Sequence, residues 1–104
     1  AAMTESRFYA NHGTTISELS ELLSIAEYRL RAMINQELGY RNFNQFLNEY
    51  RIEEASVRLI SEPKLPIITI ALDVGFKSLS SFNRAFKEKH QKTPSEYRSK
   101  PLKP

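Results

Sequence analysis

A stretch of ten residues occurs twice in this chain of 104, and that duplication limits the folds open to it more than any other feature. Ile16-x-x-Leu19-Ser20-x-x-Leu23-x-Ile25 returns as Ile67-x-x-Ile70-Ala71-x-x-Val74-x-Phe76, each position displaced by 51. The residues that follow repeat at a displacement of 52, pairing Ala26 with Ser78, Leu30 with Phe82 and Ile34 with Phe86. One residue has been added in the second copy's turn. Spacings of three and four between apolar residues are the mark of an amphipathic helix. Each copy therefore reads as a short helix, a tight turn and a second helix.

The rest of the chain fits an all-α fold with two helix-turn-helix subdomains joined by a long central linker helix. Only three Gly interrupt the helical pattern. Thr15 with Glu18 is the reciprocal pairing of a capping box ahead of Ile16. Tyr28, Leu30, Met33, Ile34 and Leu38 form the next periodic run, with Gly39 placed to end it in a left-handed conformation. From about Asn44 to Ser61, Leu47, Ile52, Ala55 and Leu59 share one side, with Glu53, Glu54 and Arg58 outside. Pro63 and Pro66 break this helix and start the next, which Gly75 closes. Ser78 is a sound N-cap for the helix carrying Phe82, Ala85 and Phe86. Beyond Lys92 the pattern gives way to Thr93-Pro94-Ser95, a short Glu96-Tyr97-Arg98 turn and a polar tail. The expected division is residues 1–43 for the first unit, 44–61 for the linker helix and 62–104 for the second unit with its basic tail.

A duplicated helix-turn-helix points to double-stranded DNA. The second helix of such a unit stands out from the core and fits a major groove roughly 12 Å wide. A connecting helix of about 18 residues is roughly 27 Å long, which with the flanking helices allows recognition helices about one DNA turn, or 34 Å, apart. With Phe82, Ala85 and Phe86 inward, Leu79, Ser80, Asn83, Arg84 and Lys87 face out. Asn pairs with adenine edges and Arg with guanine in a bidentate fork. In the first copy Glu27, Tyr28, Arg29, Arg31 and Ala32 hold the matching places. Tyr28, Arg29, Arg31, Ser80, Asn83 and Arg84 are thus the base-edge candidates, and Lys77, Ser78, Ser81 and Lys87 the phosphate candidates.

Charge distribution agrees. The net charge is +3, but residues 1–52 hold five Lys/Arg against six Asp/Glu, while residues 53–104 hold ten against six. From Lys77 onward eight basic residues, Arg98 among them, face only Glu88 and Glu96, so the basic surface is C-terminal. The absence of Cys excludes disulfides, thiolate metal sites and cysteine nucleophiles. His12 and His90 have no ligand spacing to a third group, so no metal or cofactor is expected. No apolar run reaches a membrane-spanning length and no signal peptide opens the chain, leaving the cytoplasm as the default compartment. The start at Ala1-Ala2-Met3 suggests a piece of a longer protein.

The motifs themselves are recognisable. Ile67-x-x-Ile70-Ala71-x-x-x-Gly75-Phe76-x-Ser78-x-x-x-Phe82-x-Arg84-x-Phe86-Lys87, followed by Thr93-Pro94-x-x-Tyr97-Arg98, resembles the signature of the AraC/XylS family of bacterial transcription regulators. Gly39, Phe43, Phe46-Leu47, Arg51-Ile52, Ala55 and Leu59 resemble that family's linker-helix pattern, so the likeness runs from about residue 14 to 98. It implies seven helices, two helix-turn-helix units around a linker helix, and a separate sensing or dimerisation domain elsewhere in the full protein. It further implies a transcription activator that engages RNA polymerase, the domain alone being monomeric and the full protein dimeric through the other domain. Four departures stand out: Ala26 replaces a capping Ser, Ala32 replaces a frequent Arg, Gln91 replaces a helix-ending Gly, and the N-terminal helix is short, roughly residues 5–11.

Other roles compete with DNA contact at particular residues. Phe76, Phe82, Phe86, Ile70 and Leu30 are core positions, Arg51 and Tyr97 tie elements together, and Ser78 is first a cap. Lys100 and Lys103 belong to a solvated tail. Among whole-domain alternatives, an enzyme lacks any His–carboxylate pair, glycine-rich phosphate loop or Cys nucleophile. RNA binding lacks an exposed aromatic platform. The serious rival is a helical protein-interaction module, which requires apolar outward residues where this chain has Arg29, Arg31, Asn83 and Arg84.

Overall fold

The computed structural model describes residues 8–10 and 15–99. The expected N-terminal helix over residues 5–11 lies largely outside the described residues, as do Lys100 and Lys103; of that helix a single 3-10 turn, Phe8–Ala10, is described. Among the described residues the chain is helical throughout, without strands. Its helices are α1 (Ile16–Leu23), α2 (Glu27–Ala32), α3 (Phe43–Ser61), α4 (Ile67–Asp73), α5 (Leu79–His90) and α6 (Pro94–Ser99). α2 runs on into a π-helical turn, Met33–Glu37. Two compact units divide between Tyr50 and Arg51, inside α3.

Side chains set most of the helix starts. At α1 the Thr15 hydroxyl accepts from the Glu18 amide at 3.2 Å and the Glu18 carboxylate accepts from the Thr15 amide at 3.0 Å. At α3 the Asn42 carbonyl oxygen accepts from the Gln45 amide at 2.8 Å, and Gln45 accepts from the Arg41 amide at 2.6 Å. The stretch after Lys92 departs from the expected dissolving pattern: Thr93 and Glu96 form a second reciprocal box, at 3.1 and 2.9 Å, and Pro94 occupies the first helical position of α6. Threonine followed three residues later by glutamate, with proline between, is a helix-start pattern in its own right. Pro66 stands at the N-cap of α4, one place before the first helical residue.

The two copies turn the chain in the same way. After α1, Ser24 adopts a left-handed conformation at φ 56°, and the Ile25 amide donates back to the Ser20 carbonyl at 3.1 Å. After α4, Gly75 has φ 116°, and the Phe76 amide donates to the Ala71 carbonyl at 3.0 Å. Both are Schellman closures that satisfy carbonyls left over at a helix end. Glycine meets the positive φ without a Cβ penalty; serine does not. In the first copy the Ser20 hydroxyl adds a bond to the Ile25 carbonyl at 2.6 Å, which the second copy's Ala71 cannot make.

Each unit closes its own core. In the first, Leu19 and Ile16 of α1 meet Leu30 and Ile34 of the second helix over Phe46 and Leu47. In the second, Ile70, Ala71 and Val74 meet Phe76, Phe82 and Phe86 over Ile52, Ala55 and Leu59. Every fully buried aliphatic or aromatic group of this kind contributes about 1.5–3 kcal/mol relative to exposure. Tyr97 lies edge-on to Phe86 at 5.2 Å, anchoring α6.

Three arginines serve this second unit. Buried Arg51 lies 5.7 Å over the Phe76 ring, and burial holds its guanidinium below the ordinary arginine value. Arg58, expected outside, sits among Glu62 (2.8 Å), Asp73 (3.3 Å) and Glu54 (3.7 Å); its hydrogen bond to Glu62 is the largest cause raising it above the ordinary value. Arg98, counted in the basic surface from sequence, donates to the Leu59 and Glu62 carbonyls, each at 3.0 Å, and so closes the end of α3.

The turns make a reciprocal prediction. Ser24→Gly stabilises the domain by about 0.5–1 kcal/mol and Gly75→Ser destabilises it by about 1–2 kcal/mol, because only the second substitution adds a Cβ at positive φ. Thermal melts of the two variants check both signs.

Candidate nucleic-acid interface

The second helix of each unit presents its outer face. On α5, Phe82 and Phe86 are fully buried, while Leu79, Ser80, Asn83, Arg84 and Lys87 are exposed, with Lys77 and Ser78 exposed just before them. Among the described residues the side chains of Lys77, Asn83, Arg84 and Lys87 have no hydrogen-bond or ion-pair partner. An Asn amide and an Arg fork one residue apart, both unengaged, offer donor and acceptor groups to whatever docks against α5. Ser78 starts this helix: its hydroxyl accepts from the Ser81 amide at 3.1 Å and from no residue outside the turn. The Ser78 and Ser81 hydroxyls lie 3.0 Å apart, and Ser81 also donates to the Ser78 carbonyl at 3.0 Å. Ser80 is 3.3 Å from Ser78. The three serines thus form a hydroxyl cluster at the helix start.

The face of α2 is different. Tyr28 is 74% exposed, so its ring does not pack on the body. Arg29 is exposed and without a partner among the described residues. Arg31 is exposed too, but pairs with Glu27 one turn earlier at 2.9 Å. Both groups of this pair are about half exposed, a setting in which such pairs contribute about 0–1 kcal/mol. Ala26 stands where Ser78 stands in the second copy and gives its helix no side-chain cap.

One feature of the first unit escaped the sequence reading. Between the second helix and the start of α3 lies a cleft of about 120 Å³, lined by Arg31, Asn35, Arg41 and Asn42 over Ile16, Ile34 and Phe43. Arg41 carried no periodic or motif signal; its place becomes visible only once Asn42 and Gln45 are seen to cap α3 beside it. Among the described residues no cluster of His, Asp and Glu is arranged to hold a metal, and no helix is long and apolar enough to cross a membrane.

This geometry, two capped helix-turn-helix units with polar outer helices, has counterparts among known proteins. The sequence profile of a family described as "Helix-turn-helix domain" matches residues 19–100. The chain belongs to the AraC-type helix-turn-helix family. This AraC-type domain is 40% identical over 84 residues to an uncharacterized HTH-type transcriptional regulator of Staphylococcus aureus strain COL, an alignment covering 81% of the chain but 11% of that protein. It resembles the C-terminal domain of AraT, a response regulator from Geobacillus stearothermophilus, at a TM-score of 0.76 and 32% identity over 92% of this chain and 78% of that one. The C-terminal domain of the two-component response regulator yesN from Fusobacterium nucleatum is similar at a TM-score of 0.72 and 33% identity, covering 88% of this chain and 86% of that one. The AraC-type domain thus spans about a tenth of the Staphylococcus regulator's length.

The contrast between Ala26 and Ser78 is testable in the AraC-type domain. Ala26→Ser restores a cap acceptor and stabilises by about 1 kcal/mol, and Ser78→Ala destabilises by a similar amount. Urea unfolding of both variants measures the pair; equal and opposite shifts in midpoint are the expected result.

Proposed function

We infer that this chain is the sequence-reading part of a transcription regulator, each unit placing its second helix, α2 or α5, in a major groove, the two grooves being successive on one duplex. Sequence-specific DNA binding by a transcription-regulator domain follows from the family membership. The finer reading rests chiefly on one observation: Asn83 and Arg84 stand exposed on α5 with no internal partner. Groups that fold without partners and point outward from a protruding helix are suited to base edges. Three cations on or beside this face, Lys77, Arg84 and Lys87, also suit a polyanion better than the protein-docking alternative.

Roles follow from placement. Arg84 and Asn83 read base edges from α5, with Ser80 beside them at the helix start. Tyr28, Arg29 and Arg31 do so from α2, the Tyr28 ring supplying apolar contact to a thymine methyl. Lys77, Ser78, Ser81 and Lys87 take backbone phosphates along the flanks of α5. The domain acts by binding and not by catalysis. Within the full regulator it works in the cytoplasm, contacts RNA polymerase as an activator does, and dimerises through another domain, while the domain alone binds DNA as a monomer.

Binding to duplexes selected from a randomised pool tests the reading directly. Arg84→Ala costs about 1–3 kcal/mol and relaxes preference at one base pair; an equal loss on every sequence removes Arg84 from base reading. Lys87→Ala weakens binding to all duplexes alike and lowers the slope of log affinity against log salt by about one. Footprinting is expected to protect about 20 base pairs, and half that length would mean that one unit binds alone.

A further inference from the structure

The duplicated units are not equally supplied with cations for a phosphate backbone. The residue added in the second copy's turn is Lys77, and Lys87 matches Asn35 at the displacement of 52. The first unit therefore lacks counterparts of both lysines proposed to hold phosphates in the second. What it has instead is the cleft beside its recognition helix. We propose that Arg41 and Asn35, in the cleft they share with Arg31 and Asn42, seat a backbone phosphate of the bound duplex. This rests on the DNA-binding reading above and extends it to a site in the first unit.

The chemistry of the cleft selects an oxyanion. Two guanidinium groups and two amides line it, and no carboxylate is among the lining residues. Buried Ile16 and Ile34 also line it, beside the four exposed polar residues. Arginine presents a fork of donors suited to phosphate oxygens. Among the described residues the Arg41 guanidinium and the Asn35 amide have no partner. At about 120 Å³ the cleft is large enough for a phosphate group. Arg31, tied to Glu27 at 2.9 Å, borders the cleft and is left for a base edge.

Position supports the same assignment. A helix lying in a major groove has a phosphate backbone on either flank, and this cleft is on the flank of α2. The second copy has a basic residue at the corresponding place in sequence. Asn42 with Gln45 caps α3 as Thr93 with Glu96 caps α6, at a displacement of 51, and the residue before the cap is Arg41 in one and Lys92 in the other. The position before the cap is basic in both copies.

The test uses Arg41→Gln and fluorescence anisotropy on a duplex selected from a randomised pool and on a scrambled duplex, over a series of salt concentrations. Arg41 is exposed, and an unchanged thermal melt verifies that the variant is folded. The proposal expects the variant to lose roughly 3- to 10-fold in affinity on both duplexes and about one unit of salt slope. Arg41→Lys, which keeps the charge, is expected to keep most of the slope. Scanning single methylphosphonates through the selected site identifies the phosphate: neutralising it weakens the wild type and adds nothing in Arg41→Gln. Steep, salt-dependent binding by the wild type with no change in Arg41→Gln overturns the phosphate seat and leaves the DNA-binding reading standing. Failure of the wild type to bind any duplex overturns both. A chemical-shift response of the cleft to inorganic phosphate, lost in Arg41→Gln while duplex binding is unaltered, assigns the cleft to free anion and also overturns the seat on DNA.

Discussion

Everything that makes this chain a reader depends on reversing direction between two short helices without losing backbone hydrogen bonds. α1 and α4 have eight and seven residues, too few to be stable alone in water. They persist because each packs at once against the helix that follows, and that packing requires a turn of only a few residues. One residue at positive φ achieves it, and the amide after that residue closes the preceding helix. Without the left-handed residue, Leu19 cannot lie over Leu30, nor Ile70 over Phe82, and the second helix of each unit has no core to lean on.

The same packing explains why the outer face is available for DNA. Burying Phe82 and Phe86 one turn apart uses a single stripe of α5 and commits the opposite stripe to solvent. A free-standing protein gains nothing from leaving Asn83, Arg84 and Lys87 unpaired there. By contrast, the arginines that do stabilise the second unit are placed where carbonyls, carboxylates or a ring engage them: Arg98 at the end of α3, Arg58 among three acids, Arg51 over Phe76. Charge that holds the fold together is therefore separable from charge left for a partner. The basic character counted from composition mixes the two.

The duplication, the turns and the inward stripes were legible because each leaves a periodic trace. A left-handed Gly39, a capping Thr15 and an uncapped Ala26 could be named from residue type and spacing alone. α6 was under-read although Thr93-Pro94-Ser95-Glu96 contains a helix start, because six residues are too short for periodicity to register. The roles of Arg58 and Arg98 depend on contacts across fifteen or more residues, which no local pattern encodes. The left-handed Ser24 was hidden for another reason: serine rarely takes that place, and only the match to Gly75 reveals it. The cleft beside Arg41 was invisible because it exists between elements and not along any one of them.

Comparing the copies also bears on selectivity. The first unit starts its recognition helix without a cap, ends it in a π-helical turn and turns the chain through a left-handed serine, while the second caps its recognition helix with Ser78 and ends it at a left-handed Gln91. Its Arg31 is partly neutralised by Glu27 in the free protein. A cation held this way gives up the carboxylate before it takes up a base. The exchange costs less than about 1 kcal/mol, and a well-placed bidentate contact recovers more than that, whereas a poorly placed one does not. On α5 Arg84 and Lys87 carry no internal partner, so no such exchange precedes their use. The two copies thus differ in whether the recognition helix holds a cation in an internal pair, a difference that identical copies would not have.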